Sequence, residues 1–218
     1  MTTSDAALID PARSREQGLD FRGLRKGVAM PETPAQWKLS AFTGRFGEIS
    51  GAEAGACLSL AFRLVLEAQR QGEPVAWVGR RESAFFPPDV AETGVDLAAL
   101  PVVWAPDTLA AARAADHLVR SGAFGLMVID LGARAVLPLH AQARLVGLAK
   151  KHDTALLCIT EKEDERPSLG SLVSLRAHVV RTRREGDRFR CEVRVLKDKR
   201  RGPRWGHTEI CSGPDGLC

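Results

Sequence analysis

Short apolar runs separated by longer stretches of mixed character dominate the middle of the chain. Each run is only a few residues long and almost wholly apolar; they are Pro74–Gly79, Leu100–Trp104, Phe124–Leu131 and Ala155–Ile159. Runs of this length and composition are typical of strands that are buried on both faces of a parallel sheet. The pattern therefore predicts a central parallel sheet.

Amphipathic stretches with the helical period lie between these predicted strands. Helices are predicted over Leu58–Gln71 and Leu139–His152, and a third runs from its predicted N-cap, Asp107, to Ser121. A shorter helix is predicted over Asp89–Gly94. Repeated strand–helix units imply an α/β fold with parallel strands.

The last third of the chain changes to an alternation of apolar and polar residues. Strands are predicted over Val179–Arg184, over Arg188–Leu196 and near Glu209, with Glu185-Gly186-Asp187 as a turn. The predicted fold class is therefore α/β, with a mostly parallel central sheet extended by antiparallel C-terminal strands.

The domain organisation follows from length and composition. A chain of 218 residues with 44% hydrophobic content can bury one sizeable core. We expect a core domain over residues 39–205, a partly disordered N-terminal arm over residues 1–38 and a C-terminal tail over residues 206–218. The sequence has no apolar stretch of the ~20 residues that a membrane span needs, and its N-terminus is polar, which predicts a cytoplasmic protein without membrane contact.

A glycine-rich stretch, Gly44 to Leu58, lies where a strand would lead through a turn into a helix. A nucleotide-binding P-loop at this place needs glycines, a lysine for the phosphates and a Ser or Thr hydroxyl for Mg²⁺. Gly51 is present and Gly55 falls one place early, but Cys57 and Leu58 stand at the lysine and hydroxyl positions. The stretch predicts a nucleotide-binding frame that has lost its nucleotide.

Other candidate chemistry is weaker. Asp130 ends an apolar strand, as the Mg²⁺-holding carboxylate of a nucleotide site does, although acids at strand ends also form turns. Glu82 is interpreted as a solvated loop charge, and Cys57 as a former P-loop residue despite its place near a helix N-terminus. The five cysteines and five histidines have no metal-ligand spacing. We therefore expect no enzyme activity, cofactor or metal.

Basic residues are concentrated between Arg181 and Trp205, where there are eleven basic residues and four acidic residues. This distribution favours a nucleic-acid surface in which arginine and lysine contact phosphates and Trp205 stacks on a base. A solvated sheet edge protected by charge is the alternative. The predicted DNA-binding residues are Arg181, Arg183, Arg184, Arg190, Arg194, Lys197, Lys199, Arg200, Arg201, Arg204 and Trp205.

Several motifs together resemble the ATPase core of RecA-type recombinases over about Gly44 to Pro203. The matching stretches are Gly44-Arg-Phe-Gly-Glu-Ile-Ser-Gly-Ala-Glu, Thr93-Gly-Val-Asp-Leu, Leu118-Val-Arg-Ser-Gly-Ala, Gln142-Ala-Arg-Leu and Val195-Leu-Lys-Asp-Lys. The resemblance implies a RecA-like core with a degenerate P-loop. It also implies that Lys197 and Lys199 correspond to the lysine pair that reaches a neighbouring subunit's nucleotide in the recombinases.

The departures from that family narrow the expected function. The chain is too short after Asp130 for the family's first DNA-binding loop, and the second is shortened to about Glu161–Ser171. A short RecA relative with these losses and a basic C-terminal segment resembles the ImuA family. That resemblance implies a DNA-binding adaptor, located at the nucleoid, in SOS mutagenesis and error-prone translesion synthesis. The implied partners are DNA, RecA, an inactive Y-family polymerase homologue (ImuB-like) and an error-prone replicative-type polymerase. A SulA-like inhibitor of cell division is the alternative.

Overall fold

A computed structural model describes residues 37–52, 54–83, 85, 87, 90, 93–133, 135–185, 188–202 and 205–212. The predicted N-terminal arm lies outside these residues, except for Trp37 and Lys38. Arg204, two residues of the predicted turn at 185–187 and half of the predicted helix Asp89–Gly94 also lie outside them.

The described residues form eight strands and three α-helices. The strands are β1 Phe46–Gly51, β2 Val75–Arg80, β3 Val102–Ala105, β4 Leu126–Gly132, β5 Ala155–Glu161, β6 Leu175–Glu185, β7 Arg188–Asp198 and β8 Gly206–Ser212. The helices are α1 Ala54–Arg70, α2 Thr108–Arg120 and α3 Leu139–His152.

One sheet contains all the described strands, in the order β3-β2-β4-β5-β1-β6-β7-β8. The first six strands of this order, from β3 across the sheet to β6, are parallel to their neighbours, whereas the pairs β6–β7 and β7–β8 are antiparallel. The predicted fold class, a mostly parallel α/β sheet with antiparallel C-terminal strands, is confirmed. The predicted N-cap is also observed, since the Asp107 carboxylate accepts from the backbone N–H of Ala110 at 2.7 Å.

Three element boundaries differ from the sequence prediction. Helix α1 begins at Ala54 rather than at Leu58, because Ala56 and Cys57 pack into the core as helical residues. Strand β6 begins at Leu175 rather than at Val179, since it pairs there with both β1 and β7. Residues 206–212, assigned to a tail although a strand is predicted near Glu209, form β8, which pairs with residues 188–194 of β7.

Helices cover the two faces of the sheet unequally. Helix α1 packs on one face, over a core that extends from the parallel strands to the inward residues of β6, β7 and β8. Helices α2 and α3 cover the other face only at the parallel strands. Strand β7 accordingly alternates buried and exposed residues, because one of its faces packs toward α1 and the other meets solvent.

Candidate functional site

The connection between β1 and α1 is too short for a phosphate-wrapping loop. Gly51 is the last residue of β1 and α1 begins at Ala54, so Gly55 is helical rather than part of a turn. A P-loop starting at Gly51 would need the intervening residues as an open loop whose N–H groups surround phosphates. Residues 54–58, which include the lysine and hydroxyl positions, instead form the start of α1.

Cys57 and Leu58 are core residues. Their side chains are 0% and 8% exposed and pack in the cluster beneath α1. Burial, with smaller contributions from Asp130 and Glu161, raises the pKa of Cys57 to about 12. The thiol is therefore neutral at physiological pH and is not an activated nucleophile.

Asp130 lies beside Cys57 at the carboxyl edge of the sheet. Burial raises the pKa of Asp130, whereas hydrogen bonds from the Ser83 hydroxyl and the Gly132 backbone lower it. Glu161 raises the pKa further and the Arg80 guanidinium lowers it, so a second carboxyl group lies near Asp130. Glu82 is exposed and pairs with Arg80, as expected of a solvated loop charge. The cation that acts on Asp130 is Arg80, and its guanidinium already pairs with Glu82.

The predicted DNA-binding residues divide into three groups instead of forming one surface. Strand β7 directs Arg188, Arg190 and Arg194 to its exposed face, and Arg194 pairs there with Asp164. Arg188 was not among the predicted contacts, yet the period of two places it beside Arg190. The side chains of Arg183 and Arg184 lie outside the described residues.

Apolar residues from both neighbouring strands lie next to these arginines. Val180 on β6 is opposite Glu192, and Ile210 on β8 is opposite Arg190, with exposures of 42% and 56%. We call this exposed sheet face the outer patch; it consists of Val180, Arg188, Arg190, Glu192, Arg194, Thr208 and Ile210.

Arg181 lies on the opposite face of the sheet. Its register partner is Cys191, an inward residue, and its guanidinium stacks 3.7 Å from the centroid of the Phe189 ring. Such a cation–π contact stabilises by ~0.5–1 kcal/mol at an exposed site. Arg181 therefore does not share a surface with Arg190.

The turn after β7 forms the third group and is organised by Asp198. The carboxylate accepts from the backbone N–H groups of Arg200 at 2.8 Å and Arg201 at 3.3 Å, and from the Trp205 indole at 3.1 Å. Trp205 also packs against the core beneath α1. The prediction that Trp205 stacks on a base is not supported, because its ring and its N–H already have protein partners.

The lysines and Arg200 near this turn have protein partners as well. Lys197 and Lys199 both donate to the backbone carbonyl of Ser171, at 3.3 and 2.7 Å. Arg200 donates to the carbonyl of Thr43 at 3.1 Å. Arg201 is exposed and has no side-chain ion pair or hydrogen bond with the described residues. The turn is therefore a less available cationic surface than the outer patch.

A buried ion pair that the sequence analysis did not identify holds this turn to β1. Arg45 donates to Asp198 at 2.7 Å, and the two side chains are only 4% and 1% exposed. Arg45 also donates to the carbonyls of Ala41 and Ser174 and to the Ser174 hydroxyl. The arginine of the Gly44-Arg45 motif and the aspartate of the Lys-Asp-Lys motif thus serve as one structural contact.

Glu48 has a similar role for the loop after β5, residues 162–174. It accepts from Ser168 Oγ and from the Leu169 backbone N–H, each at 2.9 Å, and pairs with Lys162. Gln142 holds the same loop through the Leu169 carbonyl at 3.0 Å. The shortened loop is therefore packed against the sheet.

The described residues contain no group of three or more His, Cys, Asp or Glu side chains that could hold a metal ion. None of the described helices is long and apolar enough to span a bilayer.

Comparison with known proteins gives consistent matches. The RecA N-terminal domain model matches residues 40–155. The Protein RecA of Fusobacterium nucleatum is 41% identical over 93 residues, which are 43% of this chain and 24% of that protein. The Protein RecA of Rhodospirillum rubrum is 34% identical over 138 residues, covering 54% and 37%. That of Teredinibacter turnerae is 37% identical over 114 residues, covering 52% and 32%.

These matched segments span less than half the length of each curated relative. The family model, by contrast, covers more than half of this chain and includes β1 to β4 with the helices between them. The chain belongs to the RecA N-terminal domain family.

Proposed function

We propose that the protein is a non-catalytic DNA-binding adaptor with a RecA-like core, acting in SOS-induced mutagenesis and error-prone translesion synthesis. The observation that carries DNA binding is the outer patch, where Arg188 and Arg190 are exposed beside each other on an uncovered sheet face. Neither side chain has an ion pair or hydrogen bond with the described residues, so both are available to phosphates.

The absence of catalysis is proposed from the former nucleotide site. Core packing of Cys57 and Leu58 and the two carboxyl groups at Asp130 and Glu161 oppose the binding of a triphosphate. A nucleotide would have to displace core side chains and bring its negative charge next to these acids. We expect DNA binding that does not depend on ATP.

The mutagenesis role and the partners are proposed from the resemblance to the ImuA family. They are RecA, an inactive Y-family polymerase homologue and an error-prone replicative-type polymerase, with a cytoplasmic, nucleoid-associated location. The exposed Val180 and Ile210 favour a second candidate, a SulA-like protein-interaction inhibitor, because exposed apolar side chains on an open sheet face suit a protein partner.

Fluorescence anisotropy of labelled single- and double-stranded DNA tests the proposal. The full chain is titrated at 50 and 200 mM salt, with and without ATP, a range over which each phosphate contact weakens affinity by roughly threefold. We expect binding that weakens with salt and is unchanged by ATP. Arg190→Glu should weaken it about tenfold, since one lost charge contact is worth ~1–2 kcal/mol.

Two control variants separate the surfaces. Arg113→Glu makes the same charge change at an exposed position on α2, far from β7 in the sheet order, and should alter affinity less than twofold. Arg201→Glu tests the turn after β7. Absence of DNA binding at 50 mM salt would refute the adaptor proposal and direct attention to a protein partner of the inhibitor kind.

A further inference from the structure

Cys191 and Cys211 lie side by side on the neighbouring strands β7 and β8. Their Sγ atoms are 3.5 Å apart. Cys191 is opposite Glu209 and Cys211 is opposite Phe189, so the two thiols form a diagonal cross-strand pair on the face toward α1. A disulfide needs the sulfur atoms at ~2.05 Å, an approach of about 1.5 Å that begins from direct contact.

The surroundings of Cys211 favour its thiolate. The hydrogen bond between the two sulfur atoms lowers the pKa of Cys211, and the guanidinium groups of Arg63 and Arg181 act in the same direction. Burial and Glu209 oppose them. Since the thiolate is the reactive form, Cys211 is the nucleophile of the pair and Cys191 the resolving thiol.

The chain carries two other described cysteines that serve as internal comparisons. Burial raises the pKa of Cys57 to about 12, and burial likewise raises the pKa of Cys158. Within the described residues neither of them is hydrogen bonded to another thiol. Both should therefore resist oxidation under conditions that oxidise the β7–β8 pair.

We propose that Cys191 and Cys211 form an oxidisable dithiol that a peroxide converts to an intramolecular disulfide. The Cys211 thiolate attacks one peroxide oxygen, the O–O bond breaks, and hydroxide leaves and takes up a proton to form water. The resulting Cys211 sulfenic acid is attacked by the Cys191 sulfur; the S–O bond breaks, the S–S bond forms, and a second water leaves. Two thiols are oxidised and one peroxide is reduced by two electrons.

The disulfide would join the edge strand β8 to β7 beside the Arg181–Phe189 contact. It would close a ring between residues separated by 20 positions in the chain. Ring closure of about this size restricts the unfolded chain enough to raise Tm by ~5–10 °C in a protein of this length. This inference does not depend on DNA binding.

The test uses the full chain with Cys218→Ser, because Cys218 lies outside the described residues and shares a tryptic peptide with Cys211. Hydrogen peroxide is added to the reduced native protein, remaining thiols are alkylated, and the digest is analysed by mass spectrometry without reduction. Trypsin cuts after Arg190, Arg194 and Arg204, so Cys191 and Cys211 fall in separate peptides. Thermal unfolding is followed before and after oxidation.

We expect a linked pair of these peptides, lighter by two hydrogens than their sum, with Cys57 and Cys158 fully alkylated. Tm should rise by about 5–10 °C and return when dithiothreitol is added. Cys191→Ser and Cys211→Ser should each remove both effects; if either variant fails to fold, the peptide map of the Cys218→Ser protein still decides. Unlinked peptides, sulfinic acid at Cys211, or a link between two molecules on a non-reducing gel would overturn the proposal.

Discussion

Replacing Asp198 with asparagine should strongly destabilise the protein. The change keeps the shape of the side chain but removes the charge that pairs with buried Arg45. It also replaces the carboxylate that accepts from the backbone of Arg200 and from the Trp205 indole. Removing one partner of a buried ion pair costs ~3–5 kcal/mol, because the other charge stays buried without compensation.

The structure places the expected cost at the lower end of that range. Arg45 retains its hydrogen bonds to Ala41 and Ser174, and an asparagine oxygen can still accept one of the lost donors. We therefore expect a loss of ~3 kcal/mol. With a urea m-value of ~2 kcal/mol per molar, the unfolding midpoint should fall by about 1.5 M.

Urea denaturation followed by tryptophan fluorescence measures this change. Asp96→Asn is the matched control, because Asp96 is exposed and its carboxylate accepts one local backbone N–H, that of Ala98 at 2.9 Å. The control should cost less than about 1 kcal/mol. Equal midpoints for the two variants would refute the stabilising role of the Arg45–Asp198 pair.

The same pair makes a pH prediction. Burial alone raises the pKa of Asp198. The Arg200 backbone N–H and the Arg45 guanidinium lower it by more, so the pKa lies below its usual range. A carboxyl group with a lowered native pKa contributes stability that is complete above its unfolded pKa, ~3.9. The difference between wild type and Asp198→Asn should therefore be full at pH 7 and shrink once the pH falls below about 4.

Three other predictions follow from the buried contacts. Glu48→Gln should release the loop after β5 and raise amide hydrogen exchange there. It should lower the free energy of unfolding by ~2–4 kcal/mol, because Lys162 loses its buried partner. Unchanged exchange in this loop would contradict the prediction. Trp205→Ala should lower stability by ~2 kcal/mol. It should change DNA affinity less than twofold, because the indole N–H is hydrogen bonded to Asp198. A large loss of affinity measured by anisotropy would show instead that Trp205 stacks on a base. The double variant Cys57→Lys/Leu58→Thr should not bind ATP. Its urea midpoint should fall, because the lysine would enter a core position. Saturable binding of a fluorescent ATP analogue would contradict this prediction.

Short sequence patterns predict those strands and helix ends that depend on residues close together in the chain. The apolar runs that became β2, β4 and β5 were identified because strands buried on both faces carry few polar residues. Asp107 was identified as an N-cap because a carboxylate before an amphipathic stretch satisfies free N–H groups.

The candidate site was less predictable because it depends on register and long-range contacts. The basic segment is continuous in sequence, but strand alternation separates Arg181 from Arg190 onto opposite faces. Gly55 suggests a turn, yet Ala56 and Cys57, which follow it, are buried helical residues. Arg45 and Asp198 are 153 positions apart, so no spacing in the sequence could identify them as a pair.

The salt dependence of DNA affinity tests the central claim most directly, when wild type is compared with Arg188→Glu/Arg190→Glu and with the Arg113→Glu control. Each lost phosphate contact should reduce the slope of log K against log salt concentration by about 0.7–0.9. We predict a slope shallower by about 1.5 for the double variant and an unchanged slope for the control. A double variant with the wild-type slope and affinity would contradict the assignment of the outer patch as the DNA-binding surface.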